Sequence, residues 1–165
     1  WGDLDYLIID LPPGTGDAPL TIAQTIPITG ILVVTTPQDI AMNVAVKAIG
    51  MFNKLNVPII GVVENMSYLQ CPHCKSDIHI FGTGGGLKIS EQFNIPYLGE
   101  IPLHPQIMQG SDTGKPTVIS EPESSQSQAF LKIAKSVAGR ISVLAAELND
   151  REQSEQETKN EASNS

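Results

Sequence analysis

A chain of 165 residues that is 41% hydrophobic supplies one compact domain and leaves little apolar material for a second. Its formal charge of -8, with ten Lys and Arg residues scattered rather than clustered, excludes a duplex-DNA or anionic-membrane surface, so neither nucleic acid nor membrane is expected as a partner. No apolar run reaches the roughly 20 residues of a membrane-spanning helix, and the two cysteines, Cys71 and Cys74, are too few for a disulfide scaffold and fit free thiols in the reducing cytoplasm.

The first expected element is a strand at 6–9, Tyr-Leu-Ile-Ile, whose apolar residues run continuously, the pattern of a strand covered on both faces. A short helix is expected at 19–25, then a second strand at 30–35. The segment 40–55 reads as a helix because Met42, Val46, Ile49 and Leu55 fall near helical spacing, with Gln38-Asp39 as a start signal. A third strand at 58–63, a helix at 86–93, a fourth strand at 97–101 and a long helix at 125–148 follow. This alternation implies parallel strands joined by right-handed crossovers, so the fold class is α/β with a layered, mostly parallel sheet and flanking helices. Residues 149–165 are rich in Glu, Ser, Asn and Gln without an aromatic, and are expected to form a disordered polar tail beyond an ordered part at 1–148. The chain opens on Trp1 a few residues ahead of a strand, so further sequence is expected upstream.

In open parallel sheets ligands bind beyond the carboxyl ends of the strands, which directs attention to the loops there. The first expected strand ends in Asp10 and continues Leu11-Pro12-Pro13-Gly14-Thr15-Gly16-Asp17. A carboxylate at such a point is able to hold the water shell of a nucleotide-bound magnesium ion, and a mobile Gly-rich turn to sense a terminal phosphate; the plainer reading is that Asp10 only ends a strand. The third strand delivers Asn65, whose amide has both a donor and an acceptor for the edge of an adenine ring, although Asn also serves as an ordinary turn residue. Cys71-Pro72-His73-Cys74 places two thiols on one side of a turn, as two ligands of one metal or cluster. Spacing alone leaves an intrachain zinc site, a site shared by two chains and a metal-free pair equally open. A four-thiolate site needs a second chain, which makes a homodimer part of that hypothesis. His73 and His79 read as bystanders. The run Gly84-Gly85-Gly86 lacks the Lys-Ser or Lys-Thr of a phosphate-binding loop and reads as a packing or hinge loop.

The extended segment at 10–17, the turn Thr35-Thr36-Pro37-Gln38-Asp39 and the Cys71/Cys74 pair resemble the Mrp-type P-loop ATPases, the iron–sulfur branch of the MinD and ParA group. The resemblance implies a MinD-like P-loop fold and an ATPase that carries a [4Fe-4S] cluster bridging two subunits and transfers it to apo iron–sulfur proteins. It implies Asp10 as the catalytic magnesium residue, Pro12, Gly14, Gly16 and Asp17 around the phosphates, Asn65 and Pro102 at the base, and Cys71 and Cys74 on the metal. Family members open with a Gly-Lys-Gly-Gly-x-Gly-Lys-Ser/Thr loop; these 165 residues contain none, so this chain alone is expected to bind ATP poorly and not to hydrolyse it. The alternative is a MinD-like or ParA-like switch that localises partners through ATP-dependent dimerisation and keeps the Cys pair as a structural knuckle.

Overall fold

The computed structural model describes residues 2–163, with side chains placed through residue 147. In chain order the elements are α1 (Asp17–Thr25), β1 (Ile31–Thr35), α2 (Asp39–Lys54), β2 (Ile59–Asn65), β3 (Leu69–Gln70), β4 (Asp77–Ile78), α3 (Gly85–Phe93), β5 (Tyr97–Ile101), α4 (Pro105–Thr113), α5 (Thr117–Ser120) and α6 (Ser125–Ser163).

Three strands form a parallel sheet in the order β1-β2-β5, and β3 pairs with β4 in a separate antiparallel hairpin. The central strand, β2, is buried along Ile59–Glu64, as its unbroken apolar run requires. Side chains alternate across a strand, and the sheet accordingly separates two cores. On one face Val33, Ile59 and Val62 pack with Ala45, Ile49 and Phe52 of α2 and Ile89 of α3. On the other, Ile60, Val63, Leu98 and Ile101 pack with Ile133 and Leu144 of α6. The result is the α/β/α layering expected from the sequence. Close approach fixes the join of β2 to β5: a Cβ on Gly61 would lie 2.6 Å from the Pro96 carbonyl oxygen and 2.7 Å from Leu98 Cγ.

Two differences have physical causes. Residues 6–9 form no strand; Tyr6, Leu7 and Ile9 are roughly half exposed and Ile8 is 90% exposed. A strand exists through its ladder partner, and β1 is the edge of the sheet with its outer side unpaired among the described residues. The backbone of α6 continues through the segment expected to be a tail, because Glu, Gln, Lys and Arg there are good helix formers whatever their polarity. Side chains from residue 148 onward and residues 164 and 165 lie outside the described residues.

Candidate functional site

The register of the sheet sets its carboxyl ends level, with Thr35 beside Glu64, Glu64 beside Glu100 and Asn65 beside Ile101. Three loops leave this edge, each toward a helix or hairpin. Because Pro102 directly follows Ile101, the register brings together Asn65 and Pro102, the two residues assigned to the base. Pro102 is buried and Asn65 half-buried. The Asn65 Oδ1 accepts the Met66 N–H at 3.0 Å, which stabilises the left-handed turn at Met66 (φ 55°) and so the exit from β2.

The segment 10–17 is placed differently. Leu11 packs against the core beneath α2. Asp10, Pro12, Gly16 and Asp17 are exposed, and Gly14 takes φ +90°, a conformation suited to glycine. Asp17, read from the sequence as part of the turn, instead opens α1, where its charge complements the N-terminal end of the helix. Exposure of this kind means that the structure does not seat these residues against the strand ends.

Between β2 and α3 the chain builds the hairpin that carries both cysteines. Leu69 pairs with Ile78 and Gln70 with Asp77, and the turn closes through the Cys71 N–H to the Ser76 carbonyl (2.9 Å) and the Lys75 N–H to the Cys71 carbonyl (3.0 Å). Lys75 adopts φ 61° to complete it. Cys71 is half-buried and Cys74 exposed; both are free thiols. The Cys74 sulfur lies 2.9 Å from Ser76 Oγ. Hydrogen bonding from the Ser76 hydroxyl, then from the Ser76 backbone and the Cys71 thiol, lowers the Cys74 thiol from an ordinary value near 9 to about 7. The tip of this tied turn thus holds the lowered Cys74 thiol beside a second cysteine, a pair chemically suited to a thiophilic metal or cluster. Among the described residues no group of three or more His, Cys, Asp and Glu side chains converges.

The site contains residues that sequence reasoning passed over. Glu64, one residue before Asn65, is 1% exposed; its carboxylate accepts the Ser67 hydroxyl (2.6 Å) and the Gly86 N–H (2.7 Å). The available signal was an acidic residue closing an apolar run. Nearby, Tyr97 has its phenol held well above its ordinary value by burial, with the carboxylates of Glu100 and Glu64 adding to the effect. His79, read as a bystander, donates from Nδ1 to the Ser67 carbonyl at 3.1 Å. The glycine run is a packing loop: a Cβ on Gly85 would come 2.7 Å from Met42 Sδ and 2.9 Å from Pro37 Cα, and one on Gly86 would come 3.0 Å from both Glu64 Cβ and Tyr97 Cε2.

Comparison with known proteins bears on the fold and the family. A solved nucleotide-binding protein from Archaeoglobus fulgidus, in complex with ADP, is 40% identical with a TM-score of 0.65 over 76% of this chain and 51% of its own. The cell division ATPase MinD of Pyrococcus furiosus is 28% identical, with a TM-score of 0.62 over 81% of this chain and 51% of its own. The fold is therefore that of the MinD and ParA P-loop NTPases. Among curated relatives, the iron-sulfur cluster transfer protein NUBPL of Mus musculus is 50% identical over 141 residues, 86% of this chain and 44% of that protein. The iron-sulfur cluster carrier protein of Haemophilus influenzae is 52% identical over 141 residues, 86% of this chain and 38% of its own length. The chain thus spans less than half the length of these two relatives. The family of ParA type described as NUBPL iron-transfer P-loop NTPase matches residues 1–138, and the chain belongs to that family.

Proposed function

We propose that this protein is an ATP-dependent iron–sulfur carrier: two subunits each contribute Cys71 and Cys74 to hold a [4Fe-4S] cluster as cargo, which is passed to apo iron–sulfur proteins. The observation that carries this reading is the tied Cys71/Cys74 turn, whose Cys74 thiol is lowered to about 7 and therefore supplies thiolate at neutral pH. Two sulfurs per chain make half of a four-thiolate set, so the homodimer follows from the ligand arithmetic. Asn65 and Pro102 would hold the base, Asp10 the magnesium ion, and Pro12, Gly14, Gly16 and Asp17 the terminal phosphate. ATP hydrolysis is assigned to the protein when a Gly-Lys phosphate-binding loop is present, since these 165 residues contain none. Free thiols fit a reducing cytoplasm; no helix among the described residues is long and apolar enough to cross a membrane.

The test is anaerobic reconstitution with iron and sulfide, performed on this chain and on a version joined to the phosphate-binding part of a relative. About one four-iron cluster per dimer, lost in Cys71→Ala or Cys74→Ala, is the expected outcome. Zinc held by a monomer, or an extended protein that binds no iron, would replace this reading with a MinD-like switch carrying a structural knuckle. ATPase activity should appear only in the extended version.

A further inference from the structure

Ser67 stands between the two halves of the site. It is 2% exposed, two residues after Asn65 and four before Cys71. Its N–H donates to the Ile101 carbonyl (3.1 Å), its hydroxyl donates to Glu64 Oε1 (2.6 Å) and reaches Glu100 Oε2 (2.9 Å), and its carbonyl accepts the His79 ring N–H (3.1 Å). The next residue continues the pattern, the Tyr68 carbonyl accepting the Leu103 N–H at 2.7 Å. Ser67 and His79 flank the cysteine hairpin on either side, so the bond between them closes its neck. Through the second oxygen of Glu64 the same junction holds the Gly86 N–H in the first turn of α3.

We propose that Ser67, with Glu64 and His79, is the joint that couples the base-binding loops to the thiol pair, making these three positioning residues for the cargo. The inference rests on the carrier reading above. Its physical basis is that the Asn65 loop and the Pro102 loop are bonded to one another close to both proposed base contacts, by Ser67 to Ile101 and by Leu103 to Tyr68, next to Pro102 on one side and within the first turn after Asn65 on the other. A base that changes the separation of these loops has to strain or relax those bonds. The hairpin, anchored at the same atoms, then changes its angle to the sheet. A buried carboxylate is also a costly way to fill space, since an apolar side chain of similar size would be buried without losing hydration. At Glu64 its return is two directed hydrogen bonds that unite β2, α3 and the hairpin neck.

The test uses the protein extended with a phosphate-binding part, purified metal-free, and measures the rate at which Cys74 reacts with a small disulfide, with and without ADP and magnesium. A working joint changes this rate by about 5-fold or more on ADP binding, the range of ordinary site-to-site coupling. In His79→Phe, at an exposed position, the ratio should fall to one in protein that still binds ADP. His79→Gln, which keeps a donor for the Ser67 carbonyl, should restore it. A His79→Phe protein with the parent's ratio, or a parent that binds ADP with no change at Cys74, overturns the joint. A parent that binds neither ADP nor iron overturns the carrier reading instead.

Discussion

Replacing Ser76 by alanine isolates the largest influence on the exposed thiol of the pair. The substitution removes the hydroxyl 2.9 Å from the Cys74 sulfur but keeps the Ser76 carbonyl that accepts the Cys71 N–H, so the turn itself survives. With its thiol lowered to about 7, Cys74 is roughly half thiolate at pH 7; a thiol returned to the ordinary value near 9 would be about 1% thiolate, a roughly 50-fold loss of the reactive form. Nucleophilicity moves the other way. With a Brønsted slope of about 0.4–0.5, a two-unit rise makes the thiolate roughly 8-fold more reactive, leaving a net slowing of about 6-fold at pH 7. Because the Ser76 backbone and Cys71 also lower the thiol, this figure is an upper bound. The sign inverts at high pH. Near pH 10 both proteins are largely thiolate, and Ser76→Ala should react faster than the parent. The assay is acid-quenched reaction with a low-molecular-weight disulfide across pH 5–11, with Cys74 followed by peptide mass spectrometry. An inflection that stays near pH 7 in Ser76→Ala, or rate curves that never cross, would refute the assignment of Ser76 as the main cause.

Two further outcomes test the scaffold. Ile49 is completely buried between α2 and the sheet, so Ile49→Ala should cost about 2–5 kcal/mol and lower the urea midpoint by ~1–3 M; a shift below ~0.3 M would mean that the core closes around the deletion. Gly61→Ala pushes a methyl group into the Pro96 carbonyl and Leu98, and should cost about 1–3 kcal/mol while accelerating amide exchange at Val62, whose N–H donates to Pro96. Unchanged exchange there would show that β2 and β5 separate without loss.

The parts of the fold that announced themselves did so through burial. β2 is apolar throughout because both its faces are covered, and α2 shows helical spacing because one of its faces carries Ile49 and Phe52 into the core. Residues 6–9 give the same signal without forming a strand, since composition records a tendency to be buried and a ladder needs a neighbouring chain. α4 and α5 went unseen because Pro105, Gly110, Gly114 and Pro116 read as loop punctuation, although Pro105 opens α4 and Gly114 ends it in a left-handed cap. The paired segments β3 and β4 have two residues each, too few for any periodicity. At the candidate site, residue type and spacing drew attention to Asn65 and the cysteines, but their proposed roles rest on the family resemblance. Their connection was not legible: Glu64 finds Ser67 three residues away and Gly86 twenty-two away, and the Ser67–Glu100 contact spans thirty-three residues.

The open side of β1 has a colloidal consequence. Leu32 and Val34 are exposed on that edge strand, and the chain also displays the apolar run at 6–9. Edges of this kind recruit strands from other molecules. At a net charge of -8, copies repel one another in dilute buffer, but the reach of that repulsion shrinks to about 8 Å at physiological ionic strength. Salt that leaves the interior untouched therefore lets bare strand edges approach within pairing distance, and copies of this chain should associate more readily as ionic strength rises.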